Sequence, residues 1–205
     1  MFKYTIPTIL PILFSSYTWK VKTKDKKLFL TFDDGPHPLI TPWVIEQLRL
    51  FNAKATFFCV GENVKRFPET YSQILDAGHD VGNHTFHHKN GWQTNNIEYF
   101  SDVYLAKNFI KSKLLRPPYG RIKAVQAKVL RKEFEIIMWS KLSRDYEQNL
   151  NVKESYKQMC KVKNGDIIVF HDSDKAFKNL QILLPQLLAY YHNLGFQMLA
   201  LSDRR

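Results

Sequence analysis

The stretch Lys27-Leu28-Phe29-Leu30-Thr31-Phe32-Asp33-Asp34-Gly35-Pro36 decides how the chain is read. An apolar run fit for a strand stops at two adjacent carboxylates and a Gly-Pro turn. The same grammar recurs. Strand-like runs fall at 27–32, 55–60, 80–83, 114–116, 135–139, 166–170 and 196–200. Helical patterns lie between them at 41–51, 68–77, 95–111, 123–131, 152–161 and 179–193. Thr41-Pro42 reads as an N-cap followed by Pro in the first turn. Val44, Ile45, Leu48 and Phe51 then line one helix face. Gly78 and Gly195 follow helical patterns, where a left-handed residue ends a helix. Strands alternating with helices imply a parallel sheet with right-handed crossovers. Open sheets and closed barrels both satisfy that pattern. The chemistry chooses between them: Asp33-Asp34, His84, Arg116, Trp139 and His171 all fall at or just after strand ends. Residues from several strands converge when those ends form one rim, as in a barrel. With seven strands, a small or incompletely closed α/β barrel of parallel strands is expected.

The chain has 205 residues, 44% of them hydrophobic and 14% aromatic, a globular composition sufficient for one domain. Thirty Lys+Arg against nineteen Asp+Glu leave a formal charge of +11. The basic residues come as singles and pairs, such as Lys26-Lys27 and Arg131-Lys132, without the runs typical of nucleic-acid arms. No nucleic-acid partner is expected, and a monomer is. Cys59 and Cys160 sit in apolar patterns and read as small core residues. Ile6 to Phe14 is mostly apolar after Lys3, a faint likeness to a secretory leader. It carries Pro7 and Pro11, lacks an Ala-x-Ala cleavage site and falls short of the ~20 residues that span a bilayer. The expectation is an N-terminal segment, 1–26, packed on a catalytic domain of 27–205, with a membrane-proximal anchor as the alternative. The compartment stays open between cytoplasm and envelope.

His84-Thr85-Phe86-His87-His88 places two imidazoles at i, i+4, which face the same way if the segment makes a helical turn. His87 cannot share that face. Two imidazoles and one carboxylate of the Asp33-Asp34 pair form the three-ligand set of a catalytic metal with a position left for water. Neighbouring side chains at a strand end point opposite ways, so the second Asp is free to act as a base. In Arg116-Pro117-Pro118-Tyr119-Gly120 the prolines stiffen a loop after a strand. Only Tyr119 or Gly120 has a backbone N–H to offer an oxyanion there, and Arg116 can pair with a carboxylate. His171 ends a buried strand, a suitable place for a general acid. For the aromatic residues Trp92 and Tyr146 a binding role and core packing account equally well, and for Trp139 core packing is the better account.

These motifs, in this order over residues 29–200, are similar to those of the polysaccharide deacetylases, the NodB-homology domain of carbohydrate esterase family 4. Thr31–Pro36, His84–His88, Arg116–Gly120 and Val169–His171 each match a family motif. The resemblance implies a distorted (β/α)7 barrel and a metal-dependent hydrolase of carbon–nitrogen bonds that removes acetyl groups from N-acetylated sugars, as in peptidoglycan or chitin. An O-acetyl esterase on a glycan such as acetylxylan is the alternative, and a non-catalytic carbohydrate-binding protein of the same fold is the other. It implies Asp33 as general base, with Asp34, His84 and His88 holding a divalent metal, zinc before Co2+, Ni2+ or Mn2+. Arg116 would orient Asp33, the Tyr119 N–H would meet the oxyanion, and His171, oriented by Asp145, would act as acid. Trp92, Pro118, Trp139 and Tyr146 would touch the acetylated glycan. One motif departs: where the family often has Asp-x-x-Asp-Trp, this chain has Leu142-Ser143-Arg144-Asp145-Tyr146.

Overall fold

The computed structural model describes residues 4–7 and 9–204. A short helix α1 (Ile9–Leu13) precedes β1 (Lys27–Asp33), α2 (Ile40–Leu50), β2 (Thr56–Cys59), α3 (Gly61–Arg66), α4 (Pro68–Asp76) and β3 (Asp80–Asn83). There follow α5 (Asn96–Lys107), β4 (Leu114–Leu115), α6 (Ala124–Leu130), β5 (Glu135–Ile136), β6 (Lys141–Leu142), α7 (Val152–Met159), β7 (Ile167–His171), α8 (Asp174–Asn193) and β8 (Gln197–Leu199).

All the strand pairs are parallel, in the order β5-β4-β3-β2-β1-β7-β6. β1 is central and buried along nearly its whole length, as its unbroken apolar run requires. Phe32 stacks between Phe57 and Phe170 from the two flanking strands, at 5.1 and 5.6 Å. β8 pairs with the first half of β1, and Lys54 N–H donates to the Met198 carbonyl, wedging β8 between β1 and β2. The result is the single-domain, distorted (β/α)7 barrel of the sequence reading.

The sheet departs from that reading at its edges. The strand expected at 135–139 stops at Ile136, and β6 starts beyond that range at Lys141, because the chain changes partners. Ile137 N–H donates to Leu115 O, Met138 N–H to Thr18 O, and Ser140 N–H to Ile167 O. Four residues therefore carry the chain from one edge of the sheet to the other, and the sheet curls. Segments of the N-terminal stretch fill the seam through backbone bridges Thr5↔Lys141, Thr18↔Ile137 and Lys20↔Asp166. Lys3 and Thr8 of the leader-like reading lie outside the described residues. Among the described residues no helix is long and apolar enough to cross a membrane. The last helix begins at Asp174, not at residue 179, and α1 and α3 occupy stretches without a legible period.

Candidate active site

The strand ends of β1, β3, β4 and β7 meet around a cavity of about 170 Å³. β1 delivers Asp33 in extended backbone. The chain then turns at Asp34 with φ 80°, in the left-handed region, which sends the two carboxylates apart. Gly35 follows because nothing larger fits: a Cβ there would collide with the Asp172 carboxyl group. That carboxyl accepts the Gly35 N–H and bonds Thr41 Oγ1, and burial pushes it up to about 8.

Asp33 is buried and meets a wholly buried guanidinium. Arg116 Nη1 donates to Asp33 Oδ1 and Thr31 Oγ1, both at 2.7 Å, while Nη2 donates to Met138 O at 3.0 Å and Nε to Ile137 O at 3.3 Å. The Phe58 ring lies 4.1 Å below the guanidinium carbon. Burial pulls Arg116 down from its ordinary value, and the Asp33 charge opposes that pull. Such a fully bonded pair fixes the Asp33 carboxylate in one orientation.

Asp34 faces the imidazoles. His88 Nε2 lies 3.1 Å and His84 Nε2 3.6 Å from Asp34 Oδ1, and ligand atoms of the three residues all lie within 4.8 Å of one another. No helical turn brings the histidines together, contrary to the simplest reading of their spacing. Thr85 and His88 both adopt left-handed φ, 62° and 55°, and fold the loop back so that the rings stand 5.0 Å apart. His87 points away and bonds Asp102.

Three observations fit this trio to a divalent cation. His84 Nδ1–H donates to the Arg116 carbonyl at 2.8 Å, which leaves the Nε2 lone pair facing Asp34. Burial lowers His88 toward the neutral, ligating form, against the pull of Asp34. Asp34 Oδ2 is buried and has no hydrogen bond, although Lys175 Nζ stands 2.8 Å away outside bonding geometry. Burial would push the Asp34 carboxyl up, but the polar edges of His84 and His88 that face it and the His171 charge hold it well below the usual carboxylate range.

His171 stands across the cavity at the end of β7. Its Nδ1–H donates to Asp145 Oδ1 at 2.7 Å, and its backbone N–H donates to Asp145 Oδ2 at 2.9 Å. Burial disfavours the imidazolium, but the Asp145 carboxylate outweighs it, with Asp34 and Asp33 adding, and His171 is raised to about 9. Asn179 of α8 donates to the carbonyls of Asp145 and Glu147 and so fixes the loop that carries Asp145. Tyr119 has φ 60° and ψ 7°, and no acceptor among the described residues takes its N–H.

Of the expected sugar-contacting residues, Trp139 and Tyr146 line the cavity, and Tyr146 packs edge-on against His171 at 4.9 Å. Leu142 forms another part of the wall. Trp92 and Pro118 do not line it. Trp92 is tied by Nε1 to the Ile122 carbonyl beneath the Arg121 guanidinium, and Pro118 is buried inside its turn. The sequence reading missed Lys175, Asp102, Asn179 and Asp172. An acid on an apolar stripe marks Asp102, between Tyr99, Val103 and Ala106. An amide among Ala176, Leu180 and Leu183 marks Asn179 in the same way. Lys175 carries no comparable signal.

The fold and site define a class, a barrel hydrolase able to hold one cation between a carboxylate and two imidazoles. The chain belongs to the polysaccharide deacetylase family, whose model matches residues 20–133. It is 32% identical over 195 residues to a peptidoglycan-N-acetylglucosamine deacetylase of Bacillus cereus, covering 91% of each chain. It is 31% identical over 163 residues to the chitooligosaccharide deacetylase of Azorhizobium caulinodans, covering 75% of this chain and 77% of that one. The crystal structure of a peptidoglycan N-acetylglucosamine deacetylase superposes with a TM-score of 0.84 at 27% identity, covering 92% of each chain.

Proposed function

We propose that this chain hydrolyses the acetamide of N-acetylglucosamine units in a peptidoglycan- or chitin-like glycan, releasing acetate and a free sugar amine. The observation that carries this reading is one small cavity that joins the fixed Asp33–Arg116 pair, the Asp34–His84–His88 trio and the Asp145–His171 pair. A divalent cation held by Asp34, His84 and His88 would polarise the acetyl carbonyl and lower the pKa of a water; the mixed imidazole–carboxylate donors suit zinc, with Co2+, Ni2+ or Mn2+ as substitutes.

The chain's own groups do the rest. Asp33, held by Arg116, accepts the proton of the attacking water as its oxygen bonds the carbonyl carbon. The unpartnered Tyr119 N–H donates to the developing oxyanion, a contribution of about 10²–10³ in rate. His171, protonated below about pH 9, gives its proton to the departing sugar nitrogen as the C–N bond breaks. Trp139 and Tyr146 offer faces to the sugar ring, and Leu142 makes the same wall apolar.

Acetate release tests the reading. Metal-loaded protein is expected to release acetate from chitooligosaccharides and peptidoglycan, and less from acetylxylan. Asp33→Asn is expected to bind metal as tightly and to lose at least ~10²-fold in turnover. His84→Ala is expected to lose stoichiometric metal. No acetate from any acetylated glycan with metal bound would overturn the reading, and acetylxylan as the preferred substrate would make the chain an esterase.

A further inference from the structure

A second cavity, of about 1310 Å³, runs along the seam between the N-terminal segment and β6–β7. Its lining gathers Lys20, Lys22, Lys24, Lys141, Lys161 and Lys163, lysines that look scattered along the chain. One carboxylate, Asp166, faces them, and it is already engaged. Lys20 Nζ lies 3.0 Å from it, and Ser140 Oγ and the Lys163 N–H donate to it. Lys141 forms the floor; it is buried, with Nζ bonded to Thr5 Oγ1 at 3.0 Å. Burial lowers Lys141 first, Asp166 opposes, and the like charges of Lys161, Lys163 and Lys20 lower it further. Lys22, Lys24, Lys161 and Lys163 are exposed and make no ion pair among the described residues.

The lining is chemically specific in what it lacks. It holds no arginine, so it offers compact point charges and no bidentate fork for a carboxylate. Trp19 lines the groove, its Nε1 committed to Phe14 O, and hydroxyls of Thr5, Thr18 and Ser140 lie alongside. A groove lined by several point charges with an aromatic ring and hydroxyls suits a chain of single negative charges separated by hydroxylated spacers. A flat lipid surface matches it less well. Trp139 lines both this groove and the active-site cavity, while on β6 Lys141 faces the groove and its neighbour Leu142 the site.

We propose that this groove binds a linear phosphodiester polymer with a sugar or polyol backbone, held beside the active site. Its placement beside a glycan substrate rests on the deacetylase reading; the affinity itself does not.

The test is fluorescence anisotropy with labelled poly(glycerol phosphate) of about ten repeats, from about 0.05 to 0.5 M salt. With four unpaired lysines and about 0.7 counterion released per phosphate, a log–log salt slope near −3 is expected. The double substitution Lys22→Glu with Lys163→Glu is expected to weaken binding at least about tenfold and flatten the slope. It should leave acetate release from a neutral chitooligosaccharide unchanged. Lys161→Gln, a milder change, should weaken binding in the same direction. Wild-type and variant proteins binding the probe equally would overturn the proposal. So would tighter binding of polyglutamate or of single-stranded DNA with the same number of charges. Absent acetate release with intact probe binding would count against the deacetylase reading alone.

Discussion

His171 and Asp145 show how two residues set one proton. The imidazole is buried, which alone would hold it neutral, yet the Asp145 charge and the bond from Nδ1–H to Asp145 Oδ1 favour the cation, and with the Asp34 and Asp33 charges bring it to about 9. An asparagine at 145 carries no charge and accepts only one of the two hydrogen bonds that Asp145 takes from His171. Asp145→Asn is therefore expected to bring the His171 pKa down toward 6.5 or below, read by NMR of the metal-free protein. The sign for stability follows. A folded pKa above the unfolded 6.5 gives stability that is fully present below pH 6.5 and lost as pH rises through about 9. The wild-type melting temperature should fall across that window, and the variant's should fall less. A His171 pKa unmoved by the substitution would remove Asp145 as its partner. The residues of this cavity are legible in sequence where dense chemistry meets a strand end, as at Asp33, Asp34, His84, Arg116 and His171. They are illegible where only folding supplies the contact, as at Lys175.

At the scale of elements, the loop from β3 to α5 depends on strained backbone held by a helix. Asp34, Thr85, His88, Tyr119 and Arg144 all have positive φ, a conformation that costs non-glycine residues roughly 1–3 kcal/mol each and persists only where the surroundings enforce it. For Thr85 and His88 the enforcement is visible. Asn83 Oδ1 accepts the Thr85 N–H at 2.8 Å, and Asp102 Oδ2 accepts the Phe86 and His87 N–H groups, each at 2.9 Å. The His-x-x-x-His spacing announces a shared direction, but the helical turn that would supply it does not form. Local propensity cannot reveal a turn imposed by an aspartate fifteen residues away on α5. Asp102→Ala should strand these N–H groups, with a loss of about 1–3 kcal/mol for each one left unpaired. Since the loop positions the two imidazoles proposed to hold the cation, metal affinity is expected to fall about 10–100-fold, as for lost supporting contacts in metal sites. Calorimetric metal titration beside a denaturant curve checks both. Asp102→Asn should recover part of each, and wild-type metal affinity in Asp102→Ala would show that the loop holds itself.

At the scale of the molecule, the alternation of strand and helix made the parallel barrel legible, because each unit needs only local periodicity. Closure was not legible, because it depends on pairing between residues more than a hundred positions apart. Residues 137–139 read as the end of a strand by composition, yet the backbone groups of 137–140 are divided among β4, the N-terminal segment and β7. The bridge at Thr18 is the firmest part of that arrangement. Its N–H donates to Ile136 O at 2.9 Å, its carbonyl accepts Met138 N–H at 2.7 Å, and its hydroxyl donates to Glu135 Oε1 at 2.6 Å. Thr18→Pro deletes the donor and the hydroxyl together and leaves the Ile136 carbonyl without that partner. A loss of about 1–3 kcal/mol is expected in urea unfolding. If the segment and the barrel are one cooperative unit, the variant will still unfold in a single transition, with a lower midpoint and an unchanged slope. Two separated transitions, or a midpoint unchanged from wild type, would mean that residues before Lys27 rest on the barrel without helping to close it. Trp139, which lines both cavities, would then report the difference, since its surroundings would change in the first transition and the active-site side would persist to the second.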